Sequence, residues 1–369
     1  MGLASGRAAH AAALVAKRFP RRGAALGRHR RLLSEMSPAM RGNDETVLAQ
    51  TLDWLRQGRR VALLTVLGTY GASPRPPGAL AAIRDDGVIC GSVSGGCVED
   101  DLRREVAEGG VFGDGRTAWV RSFGASVEER QRYRLPCGNS LRVAVETMPD
   151  PAQLEALLAA VRQRRCLWRR VDYQDGAAYL LNEGPEDAFA EDETGFSVLH
   201  GPRWRLLIIG GAELGSYLAQ VAQTLDYAVT VCEPREEYAA AWELGGVALS
   251  AEMPDDLVLA FGCDERTAVV AVSHDPKLDD LALMEALRLP CHYVGALGSA
   301  TTTMKRKARL AEHFGLTPAE LDRLHGPVGL AIGSRTPAEI AVSIAADLIA
   351  SRSACHREGA HGEERSCRT

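Results

Sequence analysis

Apolar positions recur along this chain with two different rhythms, and the change between them marks its organisation. Leu48, Leu52 and Leu55 stand three and four apart, which predicts a helix over 43–57 with one buried face. The short apolar run 61–67 predicts a strand. A loop over 68–78, stiffened by Pro74, Pro76 and Pro77, follows it. Segments 79–83 and 88–93 flank the turn sequence Asp85-Asp86-Gly87 and predict a hairpin. A helix over 98–107 and an alternating strand over 141–147 complete an α/β unit of about 110 residues. Residues 149–203 carry a helix over 154–164, a short strand and an acidic, glycine-containing stretch over 182–195, of which 183–193 reads as a flexible connector.

From Trp204 onward, short, largely apolar strands over 206–209, 229–232, 269–273 and 293–297 alternate with helices over 214–225, 278–287, 302–314, 318–324 and 337–350. Strands without a polar face are buried on both sides, which specifies a doubly wound parallel sheet. The predicted fold is therefore α/β, with an N-terminal α/β domain over 43–200 that ends in the acidic connector and a C-terminal Rossmann-like domain over 201–350. Residues 351–369 read as a polar tail.

Charge separates off the first 42 residues. They hold nine Lys and Arg against Glu35 alone, a charge of +8, which leaves −13 on the rest of a chain whose total is −5. That segment is expected to be a disordered basic leader or a mis-assigned start, with Met36 and Met40 as alternative first residues. The overall acidity excludes a cationic nucleic-acid binder, and no apolar run reaches the ~18 residues of a membrane span. The nine cysteines are scattered, odd in number and free of any Cys-x-x-Cys pair, which argues against a disulfide framework and a structural zinc site. A reducing, cytoplasmic compartment fits them.

Six segments carry candidate chemistry. Gly210-Gly211-Ala212-Glu213-Leu214-Gly215 follows a strand and opens a helix. Gly210 serves the tight turn, Gly215 the close helix packing, and Glu233 ends the next strand where an acid accepts a ribose hydroxyl. The methyl of Ala212 narrows a pyrophosphate approach and Glu213 adds negative charge, so a Rossmann fold with an altered or lost dinucleotide site stands beside a working one. In the second segment, 91–99, Ser94, Gly95 and Gly96 turn the chain into a helix that begins near Cys97. A thiol in a helix's first turn is ionised more readily, and open glycine amides accept an anion. Cys97 is thus a candidate metal-directed thiolate, and Glu99 either joins the site or complements the helix N-terminus.

Cys137, in Leu135-Pro136-Cys137-Gly138-Asn139, offers a second thiol on a turn, and the proline-stiffened loop 71–78 pre-positions Ser73 and Arg75 for an anion. His274, in Ser273-His274-Asp275, ends a strand of the parallel sheet, where ligands of such sheets bind. In the last segment, 325–339, Thr336 and Glu339 form a capping box with Pro337 at the first helical position, and Arg335 faces the same crevice. No Ser–His–Asp elbow, Walker A loop or His-x-x-x-His helix occurs.

Together these strings resemble the XdhC/CoxI family: Gly-Ala-Ser-Pro-Arg-Pro-Pro-Gly-Ala at 71–79, Gly-Ser-Val-Ser-Gly-Gly-Cys-Val-Glu at 91–99, Leu-Pro-Cys-Gly at 135–138, the nucleotide-fold start at 209–215, Cys-Glu-Pro-Arg at 232–235 and the long string at 325–345. The resemblance spans about 46–350. It implies a protein that binds the molybdenum cofactor, a molybdopterin with or without an added nucleotide, protects it, and aids its sulfuration by a cysteine desulfurase. The cofactor is then delivered to a molybdenum hydroxylase client of the xanthine or aldehyde dehydrogenase type. It also implies Cys97 as the cofactor-holding residue. Four positions depart from the family pattern: Ala212, Glu213, Asn139 and Ala331. The expected site lies in a cleft between the domains, with Cys97 at the metal end, Gly95, Gly96 and Arg75 at the phosphate, and His274 and Arg335 on the far wall. A homodimer is the default assembly, with no nucleic-acid or membrane partner. The alternative is an NAD(P)-dependent oxidoreductase of a small molecule.

Overall fold

The computed structural model describes residues 43–70, 75–94, 97–113, 115, 117–124 and 140–358. Helix α1 (Asn43–Arg56) leads into β1 (Val61–Tyr70), β2 (Leu80–Arg84), β3 (Ile89–Gly91), α2 (Cys97–Ala107), β4 (Ala118–Phe123), β5 (Ser140–Thr147) and α3 (Pro151–Arg162). The five strands form one antiparallel sheet in the order β3-β2-β1-β5-β4. Alternation along β1 explains its two covers. Ala62, Leu64 and Val66 pack with Val98, Leu102 and Val106 of α2, whereas Val61 and Leu63 pack with Val47, Leu48 and Leu52 of α1 and Leu154, Leu157 and Leu158 of α3. The hairpin expected from Asp85-Asp86-Gly87 forms as β2 and β3.

Where a connector was expected, the chain builds a second antiparallel sheet. Strands β6 (Leu167–Asp172), β7 (Ala178–Leu181), β8 (Phe189–Glu191) and β9 (Gly195–His200) are ordered β7-β6-β9-β8. The acids of this stretch make its turns: Asp192 Oδ1 accepts from Thr194 N at 2.8 Å and Gly195 N at 3.0 Å, and Arg170 donates to it at 2.9 Å. The two sheets are pinned by a buried ion pair. Arg169 donates to both oxygens of Glu146 at 2.9 and 2.5 Å and to Gln153 Oε1 at 2.8 Å.

The remainder is the parallel domain. It comprises β10 (Arg205–Ile209), α4 (Glu213–Thr224), β11 (Ala228–Cys232), α5 (Glu236–Ala239), β12 (Ala248–Ser250), α6 (Pro254–Phe261), β13 (Thr267–Ala271), α7 (Pro276–Ala286), β14 (Tyr293–Ala296), α8 (Ala300–Phe314), α9 (Pro318–Asp322), β15 (Leu324–His325) and α10 (Pro337–Glu358). Six parallel strands run in the order β12-β11-β10-β13-β14-β15, the doubly wound arrangement expected from the apolar strands. Leu206 and Ile208 face α4 and α10, and Leu207 and Ile209 face α6 and α7. Strands β12 and β15, three and two residues long, are too short for a periodic signal.

Only residues 201–204 separate β9 from β10, so the N-terminal domain meets the parallel sheet at its amino edge. There Arg164, held at φ 65° just beyond α3, donates to both carboxylate oxygens of Asp264 at 2.7 and 2.9 Å and to Arg203 O at 2.8 Å. Arg266 donates to Pro202 O at 3.0 Å. His200 is buried at this junction, its Nδ1 3.9 Å from Asp44 Oδ2. Burial, and after it Arg169, pushes the imidazole pKa from 6.5 down to about 3. As pH falls below 6.5 the unfolded chain takes up a proton that the folded chain refuses. The contribution of His200 to stability is thus present above 6.5 and lost as pH falls toward 3. His200→Gln is expected to flatten this part of the curve, seen as a smaller loss of urea midpoint between about pH 7 and about pH 5.

Candidate functional site

Strand register sends three of the candidate segments out from the same end of one sheet. Tyr70 pairs with Ser140, Phe123 with Leu141, and Gly91 with Ala81, one residue from the start of β2. The ends of β1, β3 and β4 and the starts of β2 and β5 therefore point to the same end of the antiparallel sheet, with Leu80 and Gly91 level with Thr65 and Leu64 of β1 and Phe123 and Leu141 level with Thr69. The segments 71–79, 92–96 and 124–139 all leave from that end. Gly95 and Gly96 lie outside the described residues, as does Cys137 with the rest of 125–139. Cys97 is the first residue of α2.

The described part of the Gly-Gly-Cys segment is organised by Glu99. This carboxylate, 4% exposed, accepts from Ser92 Oγ at 2.7 Å, Val93 N at 2.8 Å, Ser94 N at 3.0 Å and also Ser94 Oγ, while Ser94 Oγ accepts from Val98 N at 3.2 Å. Burial works to raise its pKa, but the Ser94 and Ser92 donors outweigh burial and hold it at about 2. Glu99 thus acts on the loop that delivers Cys97, and the amides of Val93 and Ser94 are committed to it. Glu99→Gln removes acceptor capacity from this buried set and is expected to cost about 1–3 kcal/mol, read as faster amide exchange in 92–98. Because the folded pKa is depressed, the stabilisation is complete above 4.5 and lost as pH falls through about 2. Arg75 is half-buried at this end. Its charge acts on Asp44 of α1, whose pKa is raised by burial and by Asp226 and pulled back by Arg75 and Arg266.

The second group lies at the carboxyl edge of the parallel sheet. Gly210 takes φ 114°, and a Cβ there would stand 2.5 Å from Ser273 Cα; one on Gly215 would stand 2.0 Å from Gly210 O. Both glycines are required by backbone approach, as the motif predicts. Glu233 is fully buried. It accepts from Gly211 N at 2.7 Å, Arg235 N at 3.1 Å and Arg235 Nε and Nη2 at 2.7 Å each. Burial raises its pKa, and the Arg235 and Gly211 donors more than offset that. Arg235 continues to Ser273 O at 3.4 Å and lies 4.2 Å from the centre of the Tyr238 ring. The acid expected to meet a ribose is engaged by its own chain, and an arginine spans from β11 to the β13 loop.

His274 is exposed and sits at φ 62° with Nδ1 3.1 Å from Val272 O. Nδ1–H donation to that carbonyl leaves Nε2 as the acceptor. The adjacent Ser273 is held by Asp279, which accepts from its N at 3.2 Å and Oγ at 2.7 Å. Arg306 donates to Asp279 and Asp280 at 3.0 and 3.1 Å and to Leu297 O at 3.0 Å. Arg335 is exposed, its amide bonded to Glu339 at 2.7 Å within the expected capping box. Sequence reasoning missed Arg235, Asp279 and Arg306. Arg235 stands two residues past Glu233 and was legible; Asp279 and Arg306 are partners across 27 positions without a local signal.

Arg75 and the α2 entry belong to the domain attached at the amino edge. Gly210, Gly215, Glu233, His274 and Arg335 stand at the carboxyl edge, beyond β10, a strand length of roughly 13 Å. The four-residue passage from β9 to β10 and the Arg164–Asp264 pair fasten the two domains at that amino edge. Among the described residues no group of three or more His, Cys, Asp or Glu is arranged to hold a metal ion.

These features define an α/β protein in which an antiparallel unit carries the Gly-Gly-Cys sequence at the entry to α2 and a Rossmann-like unit follows it. The model of the XdhC and CoxI family matches residues 54–124, that of the XdhC Rossmann domain matches 206–348, and the chain belongs to this family. A protein of Escherichia coli K12 described as the molybdenum cofactor insertion chaperone PaoD is 28% identical over 322 residues, covering 87% of this chain and 91% of PaoD. A protein of Bacillus subtilis 168 described as a probable xanthine dehydrogenase subunit is 23% identical over 339 residues, covering 84% of this chain and 98% of that one. A crystal structure from Bacillus halodurans, described as a xanthine dehydrogenase, superposes with a TM-score of 0.63 at 20% identity over 83% of this chain and 96% of its own, which shows a shared fold.

Proposed function

We propose that this protein holds the molybdenum cofactor at the motif end of its antiparallel sheet and hands it to a molybdenum hydroxylase, without turning over a metabolite itself. The observation that carries the reading is that the segments bearing Arg75, Cys97 and Cys137 leave the antiparallel sheet in the same direction, in a chain that matches PaoD over most of both lengths. The residue types fit the cofactor in part. A first-turn thiol at Cys97 is a soft ligand for the metal or dithiolene end, and Arg75 is a cation for a phosphate. Val93 and Ser94 amides are not part of that phosphate contact, because Glu99 takes them. The bound cofactor supplies redox chemistry to the client enzyme. The chain's own residues bind, orient and shield it. Sulfuration by a cysteine desulfurase, a homodimer and a cytoplasmic, reducing setting belong to the same reading; the free thiols of Cys90, Cys166, Cys232, Cys263 and Cys291 accord with the last. No helix among the described residues is long and apolar enough to cross a membrane.

The oxidoreductase alternative is disfavoured by one observation: Glu233 and Arg235 satisfy each other where a dinucleotide ribose would be read, beside the acid Glu213. The test is protein purified anaerobically from a molybdate-replete host. Molybdenum and pterin in near-equal amounts are expected. Absence of both, with bound nicotinamide dinucleotide in their place, would overturn the carrier reading.

A further inference from the structure

Helices α4 and α10 pack side by side on one side of the parallel sheet, and both begin at its carboxyl edge. Tyr217, in the second turn of α4, therefore lies level with Val342, in the second turn of α10. The loop from β15 is clasped to the same place. Leu330 N donates to Ser343 O at 3.2 Å, and Ser343 Oγ donates to Leu330 O at 2.7 Å. Tyr217, Leu330, Ile332 and Val342 are 37%, 40%, 56% and 49% exposed. Along α10, Ala338, Val342, Ala346 and Ala350 follow one another at every fourth position and form a single row. The charged side chains of α10 as far as Arg352 are all engaged by their own chain. Glu339 caps the helix by accepting from Arg335 N and Thr336 N. Asp347 accepts from Tyr293 Oη at 2.5 Å and Gly329 N at 3.3 Å, and Arg352 lies over the Trp204 and Tyr227 rings. On the other side of the sheet, α8 exposes Lys305, Glu312 and His313 over a similar length.

We propose that this α4–α10 face docks a second copy of the chain about a two-fold axis, the alanine row of one α10 crossing the same row of the other. Exposed apolar surface of this extent marks an interaction site. The four large residues expose roughly 400 Å² between them, and the alanines with the rim of Glu213, Gln220 and Glu339 bring the face to the order of 700 Å² per copy, close to the roughly 800 Å² per partner of a standard interface. Charge selects a copy as the occupant. Residues 43–369 carry −13, so two copies repel over most of their surfaces and meet at least cost where charge is absent. A two-fold axis sets the face against itself and brings no like charges together there. Rows of this spacing interdigitate in the commonest crossing of two helices, and the alanines leave hollows for the valine of the other copy. The proposal rests on the homodimer of the carrier reading and gives it a surface. Docking also covers Leu330 and Ile332, which flank Arg335 in the loop at the carboxyl edge, so pairing steadies one wall of the Rossmann site.

Sedimentation equilibrium of the full-length protein is expected to give twice the 39.6 kDa of one chain. Val342→Arg and, separately, Tyr217→Arg set a cation against its own copy across the axis and are expected to weaken the dimer at least about a hundredfold. Met304→Arg, on the exposed side of α8, is expected to leave the dimer unchanged. Circular dichroism shows whether each variant is folded. Hydroxyl-radical footprinting of the wild type decides the question even where a variant is not: Tyr217 and Leu330 are expected to lose reactivity as concentration rises, and Met304 to keep it. A wild-type monomer at every concentration overturns the face and the homodimer together. A wild-type dimer that survives both substitutions with the variants folded, or that leaves Tyr217 and Leu330 as reactive as in dilute protein, overturns the face and leaves the homodimer of the carrier reading standing.

Discussion

Replacement of Cys97 by serine is expected to lower the molybdenum and pterin retained by anaerobically purified protein at least about tenfold, a loss of roughly 1.4 kcal/mol of binding free energy. Serine keeps the size and remains a good helix-start residue, but its hydroxyl stays neutral and is a poor soft-metal ligand. The loop is not expected to collapse. Its described bonds run from Ser92, Val93 and Ser94 to Glu99, and none of those groups is altered. Glu99→Gln provides the contrast. It keeps the thiol and loosens the loop, so a comparable loss of cofactor there with retention in Cys97→Ser would move the role from the sulfur to the loop's shape. Equal cofactor content in Cys97→Ser and wild type, measured by metal analysis and pterin fluorescence, would end the assignment of Cys97.

The second large effect is on stability. Arg169 and Glu146 are 3% and 5% exposed in their side chains and bonded to one another through two contacts. Arg169→Met leaves a carboxylate buried without its cation, which is expected to cost about 3–5 kcal/mol in urea unfolding. Combining it with Glu146→Leu removes the orphaned charge, and most of that loss is expected to return. If the double variant is no more stable than the single one, the pair matters for shape rather than for compensating charge. Arg169→Met also removes the cation second only to burial in depressing His200, so the stability lost toward acid pH is expected to shrink in this variant.

Much of the fold was legible along the chain, for local reasons. Leu206 to Ile209 is apolar at every position because both faces of β10 are covered, and the glycine spacing that follows is required by the approach of Gly210 to Ser273 and of Gly215 to Gly210. Thr336 and Glu339 announced their cap. The second antiparallel sheet was hidden because its central strand carries Arg169 and Arg170. A buried arginine breaks the apolar alternation that identifies a strand, and only its partner on β5 makes it intelligible.

What the sequence determined by itself is local: which segments are strands or helices, where glycine must stand, and which thiol opens a helix, since these follow from nearest neighbours along the backbone. The tertiary structure alone decided what long-range pairing controls. It sent the loops bearing Arg75 and Cys97 out from the same end of one sheet, engaged Glu233 with Arg235, and set Arg164 against Asp264. Each of these depends on which strands lie side by side and on which edge a four-residue passage enters, and neither leaves a periodic trace in the chain.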